Sequence, residues 1–220
     1  SSVASIAYTY TFSESVSGLS AADFTVANGT ISSITGSGSS WVVNVTPAAN
    51  VASGTIGLTL AAGSVQDSAG NSNTATNVNT AQAIDTVAPT ATITLADNAL
   101  SSGESTTVTI VFSEAVAGFS AADLTAPNGS LGTFATADGG TTWTGSFTPS
   151  AATTAATNVI SLATSYTDLA GNTGTVATSA NYSVDTVAPT VLSVADNLSI
   201  TANSSVASIA YTYTFSESVS

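Results

Sequence analysis

The chain has 220 residues and lacks Lys, Arg, His, Cys and Met, so its 13 acidic residues give a formal charge of −13. Nucleic acid and anionic membrane surfaces are excluded as partners, because both are bound through cationic side chains. Disulfides are impossible without cysteine, and no apolar run reaches the roughly 18 residues of a membrane span.

Short segments with alternating apolar residues follow one another along the chain, and this period of two is typical of strands with one buried face. In chain order their predicted inward residues are Ile6, Tyr8, Tyr10 and Phe12; Trp41, Val43 and Val45; Ile56, Leu58 and Leu60; Ala91, Ile93 and Leu95; and Val108, Ile110 and Phe112. Turn signals separate the segments at Asn28-Gly29, Asn128-Gly129 and Asp138-Gly139-Gly140. No stretch has helical spacing. About seven strands per 100 residues predict an all-β fold of tandem immunoglobulin-like β-sandwich domains, arranged end to end.

The sequence repeats on two scales. Residues 204–220 repeat residues 1–17 with an offset of 203, and the segment Phe12–Thr30 returns in related form as Phe112–Ser130. The motif DTVAPT begins at Asp85 and again at Asp185.

This phasing predicts three parts. Residues 1–84 (unit A) form an Ig-like domain without its first strand, residues 85–184 (unit B) form a complete domain, and residues 185–220 (segment A′) begin the next copy of A. We expect the chain to be a slice of a longer array. The alternative is a polymer in which the end of one chain completes the beginning of the next, as in donor-strand filaments.

The order of several motifs is similar to that of a known family. The DTVAPT joints, the run FSEAV…FSAADLT…NGS and the DLAGN loop resemble the tandem bacterial Ig-like domains of giant extracellular adhesins and biofilm-type surface proteins. The resemblance covers essentially the whole chain. It implies a stalk segment at the bacterial cell surface, with calcium at the joints between domains.

Eleven of the 13 acidic residues occupy recurring positions, which indicates a role beyond solubility. An up-and-down strand path through unit B brings Asp85, Glu114 and Asp168 to the same pole. Since the chain has no cationic side chain, either one carboxylate keeps its proton or a cation lies among them. Ca²⁺ prefers such oxygen ligands, and Asn172 would add another. The alternative is that DLAGN is only a turn, with Asp168 bonding its own backbone and Gly171 at positive φ.

The same reasoning extends the candidate metal ligands to equivalent positions. They are Glu14 and Asp67 in unit A, where Asn71 corresponds to Asn172, and Asp185 and Glu217 in segment A′. Asp97 and Asp196 occupy equivalent positions in successive repeats and are further candidate metal ligands, at the opposite pole. The alternative is that each belongs to a β-turn. Asp23 and Asp123 are predicted to cap turns rather than bind metal. Trp41 and Trp143 are predicted to pack in the cores.

These features favour a structural role in an extracellular or cell-surface fibre. The linker AIDTVAPT contains no glycine, and its proline favours an extended form. The alternatives are a calcium-dependent adhesive or glycan-binding module and a polymerising filament subunit. The expected partners are neighbouring repeats of the same chain, with lateral or end-to-end self-association. An enzyme is not expected, because the chain has no His, Cys, Lys or Arg and short-looped sandwiches offer little cleft.

Overall fold

The structure is a computed structural model that describes residues 5–74, 81–197 and 208–219. It confirms an all-β fold built of tandem Ig-like sandwiches. Among these residues, no helix is long and apolar enough to cross a membrane.

Unit A is a two-sheet sandwich. Its strands are β1 (Ile6–Thr11), β2 (Phe24–Ala27), β3 (Gly29–Ser37), β4 (Ser40–Pro47), β5 (Gly54–Leu60) and β6 (Gln82–Ile84). One sheet has the order β1-β4-β3 and the other the order β2-β5-β6, with all pairs antiparallel. In the described part of the chain, β1 pairs with β4 and with no strand on its other side.

Unit B, which the structure describes in full, has more and shorter strands than the seven predicted. They are β7 (Ala91–Leu95), β8 (Ala99–Ser101), β9 (Thr106–Phe112), β10 (Val116–Ala117), β11 (Leu124–Thr125), β12 (Gly129–Leu131), β13 (Ala135–Thr136), β14 (Thr142–Pro149), β15 (Thr154–Asn158), β16 (Ser161–Leu162), β17 (Thr167–Asp168), β18 (Ala177–Thr178) and β19 (Tyr182–Asp185). Glycines at positive φ, such as Gly118 and Gly139, lie in some of the turns between these strands.

The strands of unit B form one long sheet and several short ones. The long sheet has the order β12-β14-β9-β7, with β13 added beside β14. The short sheets are β11-β16-β18, β15-β19-β8 and β10-β17, and the pair β19–β8 is parallel. Unlike β1 in unit A, the equivalent strand β9 is paired on both sides, by β14 and by β7.

Segment A′ contributes a separate two-stranded sheet of β20 (Val191–Asp196) and β21 (Tyr211–Phe215). β21 repeats the sequence of β1 from Tyr8 onward. The environments differ: Tyr8 is 8% exposed in unit A, whereas its copy Tyr211 is 58% exposed.

Two separate hydrophobic cores hold the units together, one in unit A and one in unit B. The predicted inward residues are buried or packed against these cores, as predicted. Trp41 and Trp143 pack against the cores as well, and each donates its indole N–H to a glycine carbonyl at 3.0 Å.

The period-two pattern did not reveal two single turns of 3-10 helix, Ala21–Asp23 and Ala121–Asp123. Each is closed by a capping box in which the serine before it and the aspartate at its end bond reciprocally. In unit B the carboxylate of Asp123 accepts from the backbone N–H of Ser120 at 2.7 Å. The prediction that Asp23 and Asp123 cap turns is therefore confirmed.

The Asn-Gly turn of unit B gives a stability prediction. A Cβ at Gly129 would overlap the ring of Phe147 and approach the carbonyl oxygen of Thr148 at 2.6 Å. We expect Gly129→Ala to lower the free energy of unfolding by about 1–3 kcal/mol, the usual cost of overpacking, as measured by urea denaturation. The control is Gly103→Ala, where a Cβ meets no atom within 4 Å and only the positive φ of 81° opposes it. A smaller loss for Gly129→Ala than for this control would contradict the prediction.

Candidate metal centre

Three carboxylates meet where the linker from unit A enters unit B. Asp85 directly follows β6, Glu114 lies between β9 and β10, and Asp168 ends β17. One carboxylate oxygen from each lies within 4.8 Å of one from each of the others. Asp168 is only 2% exposed, and the other two are half-buried. The predicted convergence of these three residues is thus present.

The DLAGN loop fixes the orientation of Asp168. Its Oδ1 accepts from the backbone N–H of Asn172 at 2.8 Å, and its Oδ2 accepts from the Asn172 side-chain Nδ2 at 2.6 Å. Gly171 has a φ of 93°, which this tight turn requires. The turn predicted as the alternative is therefore confirmed, and the acidic cluster forms together with it.

In this structure Asn172 turns its side-chain N–H toward the cluster, and its role as an oxygen ligand stays a prediction. Its Nδ2 lies between two acceptors, the Asp168 carboxylate and the backbone carbonyl of Asp85 at 3.2 Å. In unit A the Nδ2 of Asn71 likewise donates to Asp67 at 2.8 Å. A carboxylate attracts the amide N–H and repels the amide oxygen, so both asparagines orient the aspartate in this structure.

The electrostatics of the cluster favour a bound cation. Burial, and next the negative charges of Asp85 and Asp168, raise the pKa of Glu114 above its usual value of 4.5. The chain has no Lys, Arg or His to neutralise this charge. Asp168 accepts one hydrogen bond at each oxygen, so each oxygen keeps a lone pair for another partner.

The donor set fits a hard cation. Carboxylate oxygens are the ligands that Ca²⁺ prefers, and its flexible shell of 6–8 oxygens leaves positions for carbonyls and water beside the three side chains. Asp85, Glu114 and Asp168 are the residues that would hold it.

A site where hydrogen bonds hold the linker against unit B lies beside the cluster. The sequence did not predict this linker contact site. The carbonyl oxygen of Pro89 accepts from the backbone N–H of Thr175 at 3.1 Å and from the hydroxyl of Tyr166 at 3.4 Å. The chain then continues through Thr90, whose carbonyl accepts from the N–H of Ser113 at 2.9 Å. One signal was visible in the sequence: a threonine follows AGN after two residues in both units, at Thr175 and Thr74.

In unit A the equivalent loop has the same shape, and among the described residues no third acid joins Asp67 and Glu14. Asp67 accepts from the backbone N–H groups of Ala69 and Asn71, each at 2.8 Å. Hydrogen bonds from Asn71 lower the pKa of Asp67, and the bond from its side chain has a larger effect than the bond from its backbone. Asp67 and the exposed Glu14 line an open groove of about 350 Å³.

The other predicted metal ligands do not join a cluster of three acids among the described residues. Asp97 closes a turn by accepting from the N–H of Ala99 at 2.9 Å, which is the predicted alternative for that residue. Asp185 is exposed and accepts from the hydroxyl of Thr154 at 3.0 Å. Asp196 lies at the end of β20 opposite Tyr211. Glu217 is half-buried, and its Oε1 is a buried atom without a hydrogen-bond partner.

Comparison with known sequences identifies the family. Residues 3–83 and 85–184 each match the family described as bacterial Ig-like domain. The chain belongs to the bacterial Ig-like domain family. The resemblance inferred from the DTVAPT, FSEAV and DLAGN motifs is therefore confirmed. No curated protein sequence matches this bacterial Ig-like chain.

Two solved structures are similar to the bacterial Ig-like chain at low identity. FdeC, a broadly conserved adhesin of Escherichia coli, is 14% identical over 87% of this chain and 58% of its own, with a TM-score of 0.33. SGBP-B of the Bacteroides ovatus mixed-linkage glucan utilization locus, in complex with a mixed-linkage heptasaccharide, is 14% identical over 79% of this chain and 41% of its own, with a TM-score of 0.24. The family assignment therefore rests on the sequence match.

Proposed function

We propose that the chain is a structural segment of an extracellular or cell-surface bacterial fibre, and that Ca²⁺ at the junction between units A and B stiffens it. The observation that carries this proposal is the meeting of Asp85, Glu114 and Asp168 within 4.8 Å in a chain without a single cationic side chain. Family membership supports the structural part of the proposal.

The junction has the construction that a stiff rod requires. Asp85 belongs to the linker, whereas Glu114 lies in a loop of unit B and Asp168 ends its strand β17. A cation held by all three therefore ties the linker to the domain. Hydrogen bonds from Asn172 to Asp85 and from Thr175 to Pro89 already attach the linker at two points. Because the segment between these points lacks glycine and contains proline, little backbone freedom remains there.

The arrangement supports a mechanical rather than a catalytic role. Two carboxylates of the cluster are committed to loop and linker hydrogen bonds: Asp168 to Asn172, and Asp85 Oδ1 to the N–H of Val87 at 3.0 Å. A cation here supplies positive charge that neutralises the cluster and increases the cost of separating linker from domain.

Thermal unfolding in calcium and in chelator tests this proposal. At 100 times its dissociation constant, a ligand specific for the folded state adds about 2.7 kcal/mol to the free energy of unfolding. For a domain the size of unit B this corresponds to a rise of at least about 10 °C in the melting temperature. The same measurement on Asp168→Asn, which keeps the shape of the side chain, is expected to show most of this rise lost. An equal melting temperature of the unaltered chain in calcium and in chelator would contradict the proposal.

A further inference from the structure

We propose that Thr86 is a positioning residue that fixes the orientation of unit A relative to unit B without a bound ion. Thr186 attaches the next DTVAPT segment to unit B in the same way. The contacts that carry this inference are hydrogen bonds of the linker itself, so it goes beyond the proposed function and does not rest on calcium.

The first observation is that Thr86 is bonded to unit A, in the loop between β4 and β5. Its backbone N–H donates to the carbonyl of Val51 at 2.8 Å, and its Oγ1 accepts from the N–H of Val51 at 2.9 Å. The same hydroxyl donates to the carbonyl of Ala48 at 2.9 Å. Three hydrogen bonds therefore hold Thr86 to unit A, although it follows the last strand of that unit.

The second observation is that the attachments to the two units are interleaved along the chain. On one side of Thr86, the carbonyl of Asp85 accepts from the side chain of Asn172 in unit B at 3.2 Å. On the other side, the carbonyl of Pro89 accepts from the N–H of Thr175 in unit B at 3.1 Å. The first attachment to unit B thus precedes the last attachment to unit A.

This order leaves no place for a hinge. A hinge consists of a few residues whose φ and ψ can change between the last contact with one domain and the first contact with the next. The described linker has no such residue, because Asp85 and Thr86 are adjacent and are bonded to different units. A rotation of one unit against the other must therefore break hydrogen bonds on one side of the linker.

The third observation is that the same three bonds recur at Thr186. Its N–H donates to the carbonyl of Thr153 at 2.8 Å, its Oγ1 accepts from the N–H of Thr153 at 2.9 Å, and its hydroxyl donates to the carbonyl of Ser150 at 2.7 Å. The contacted loops differ in sequence, AANV at residues 48–51 and SAAT at residues 150–153. Because the partners are backbone groups in both units, the threonine is the side chain on which these bonds depend.

A strained residue lies beside the attachment in both loops. Asn50 has a φ of 60° and Ala152 a φ of 52°, and each directly precedes the residue that the threonine binds. Alanine rarely adopts positive φ, because its Cβ crowds the backbone there. Such a conformation persists where surrounding contacts determine it. The bonds of Thr186 to Thr153 supply contacts of this kind next to Ala152.

The attachment at the other end of DTVAPT also recurs. Thr90 donates its N–H to Ser113 Oγ at 3.0 Å and accepts from the N–H of Ser113 at 2.9 Å. Their copies Thr190 and Ser216 form the same two bonds, both at 2.9 Å. Relative motion is the usual expectation for domains joined by a linker. The recurrence of these bonds instead favours one fixed geometry at successive junctions of the array.

Distances between two spin labels test this inference. Since the chain has no cysteine, nitroxides attach only to introduced ones, and Thr35→Cys in β3 with Thr144→Cys in β14 places one exposed label in each unit. In chelator, double electron–electron resonance is expected to give one narrow distance distribution. Thr86→Val removes the hydroxyl and should widen this distribution at least twofold. Thr86→Ser keeps the hydroxyl and should leave the width unchanged.

A matched control separates the junction from a general loss of hydroxyl groups. Thr59→Val makes the same substitution at an exposed threonine of β5. Equal widths for Thr86→Val and Thr59→Val, or a broad distribution in chelator before any substitution at Thr86, would overturn the proposal. A narrow distribution in chelator that calcium leaves unchanged would support it and count against the calcium function alone. A distribution that is narrow only in calcium would do the reverse.

Amide hydrogen exchange gives a second, local readout. In chelator, Thr86→Val is expected to accelerate exchange at the N–H of Val51 at least tenfold, because Thr86 Oγ1 is its acceptor. Exchange at Val45, buried in the core of the same unit, should keep its rate and thereby show that unit A stays folded. Thr186→Val should accelerate exchange at Thr153 in the same way. Unchanged exchange at either Val51 or Thr153 would overturn the proposal.

Discussion

In chelator at pH 7, Glu114→Gln is expected to raise the melting temperature of unit B. Folding brings the Glu114 carboxylate into partial burial beside Asp85 and Asp168, and its pKa rises. Repulsion between unit charges 4.8 Å apart amounts to about 1 kcal/mol even in water. For a domain of this size, 1 kcal/mol corresponds to about 4–8 °C, so the expected rise is at least about 4 °C.

The dependence on pH has a definite sign. A carboxyl group with a raised pKa in the folded state binds more protons when folded, so the free energy of unfolding falls as pH rises. For Glu114 this loss begins near the usual pKa of 4.5 and is complete above the raised pKa. Below pH 4.5 the glutamine variant and the unaltered chain should therefore have similar melting temperatures in chelator.

In calcium, the same substitution is expected to have the opposite effect. Glutamine removes one of three charged ligands, and calcium affinity depends strongly on ligand charge. We expect at least a tenfold weaker affinity by calorimetric titration, which is about 1.4 kcal/mol of binding free energy. The control Glu104→Gln makes the same change of charge at an exposed residue outside the cluster. A stabilising effect of Glu114→Gln in both buffers would contradict a calcium site there.

Tyr166→Ala is expected to cause the largest loss of stability. The ring of Tyr166 is fully buried and lies 5.0 Å from the ring of Phe112, centroid to centroid. Its hydroxyl donates to the carbonyl of Thr175 at 2.8 Å, beside the linker contact site at Pro89. Removing a buried aromatic side chain costs about 3–5 kcal/mol. Since Asp168 lies only two residues further along the chain, at the end of β17, calcium affinity should fall as well.

Two further variants distinguish the stability that core packing contributes from the stability that the linker contact site contributes. Tyr166→Phe keeps the ring and removes only the hydroxyl, so urea denaturation should show a loss of about 1 kcal/mol. Leu169→Ala lies next to Asp168 but is 78% exposed, and we expect a change within about 0.5 kcal/mol. Equal losses for Tyr166→Phe and Tyr166→Ala would show that the ring contributes nothing, contrary to its complete burial.

The strands and the position of the acidic residues could be predicted, because both follow from patterns in short stretches of sequence: the alternation of apolar residues and the recurrence of acids. Alternation placed residues such as Val108 and Ile110 inward, and the structure buries both completely. The recurrence of acids between units placed Asp85, Glu114 and Asp168 at one pole, where they do meet. These inferences needed only the period of a strand and the direction of the chain.

Other features depend on contacts between distant residues, and the sequence does not encode them locally. The hydroxyl of Tyr166 reaches Pro89, 77 residues earlier in the chain. The amide of Asn172 turns its N–H toward Asp168 because the carboxylate lies there, and the sequence did not predict this hydrogen bond. The register shift that turns Val191 and Val194 to one face follows from the pairing of β20 with β21, and alternation alone would separate them.

We propose that Asp85, Glu114 and Asp168 together hold a calcium ion at the junction. The most direct test is anomalous X-ray diffraction from crystals grown in calcium, at a wavelength where calcium scatters anomalously. We expect a peak about 2.3–2.6 Å from a carboxylate oxygen of each of the three residues. Diffraction data without an anomalous peak among these carboxylates, with the three side chains turned apart into solvent, would contradict it.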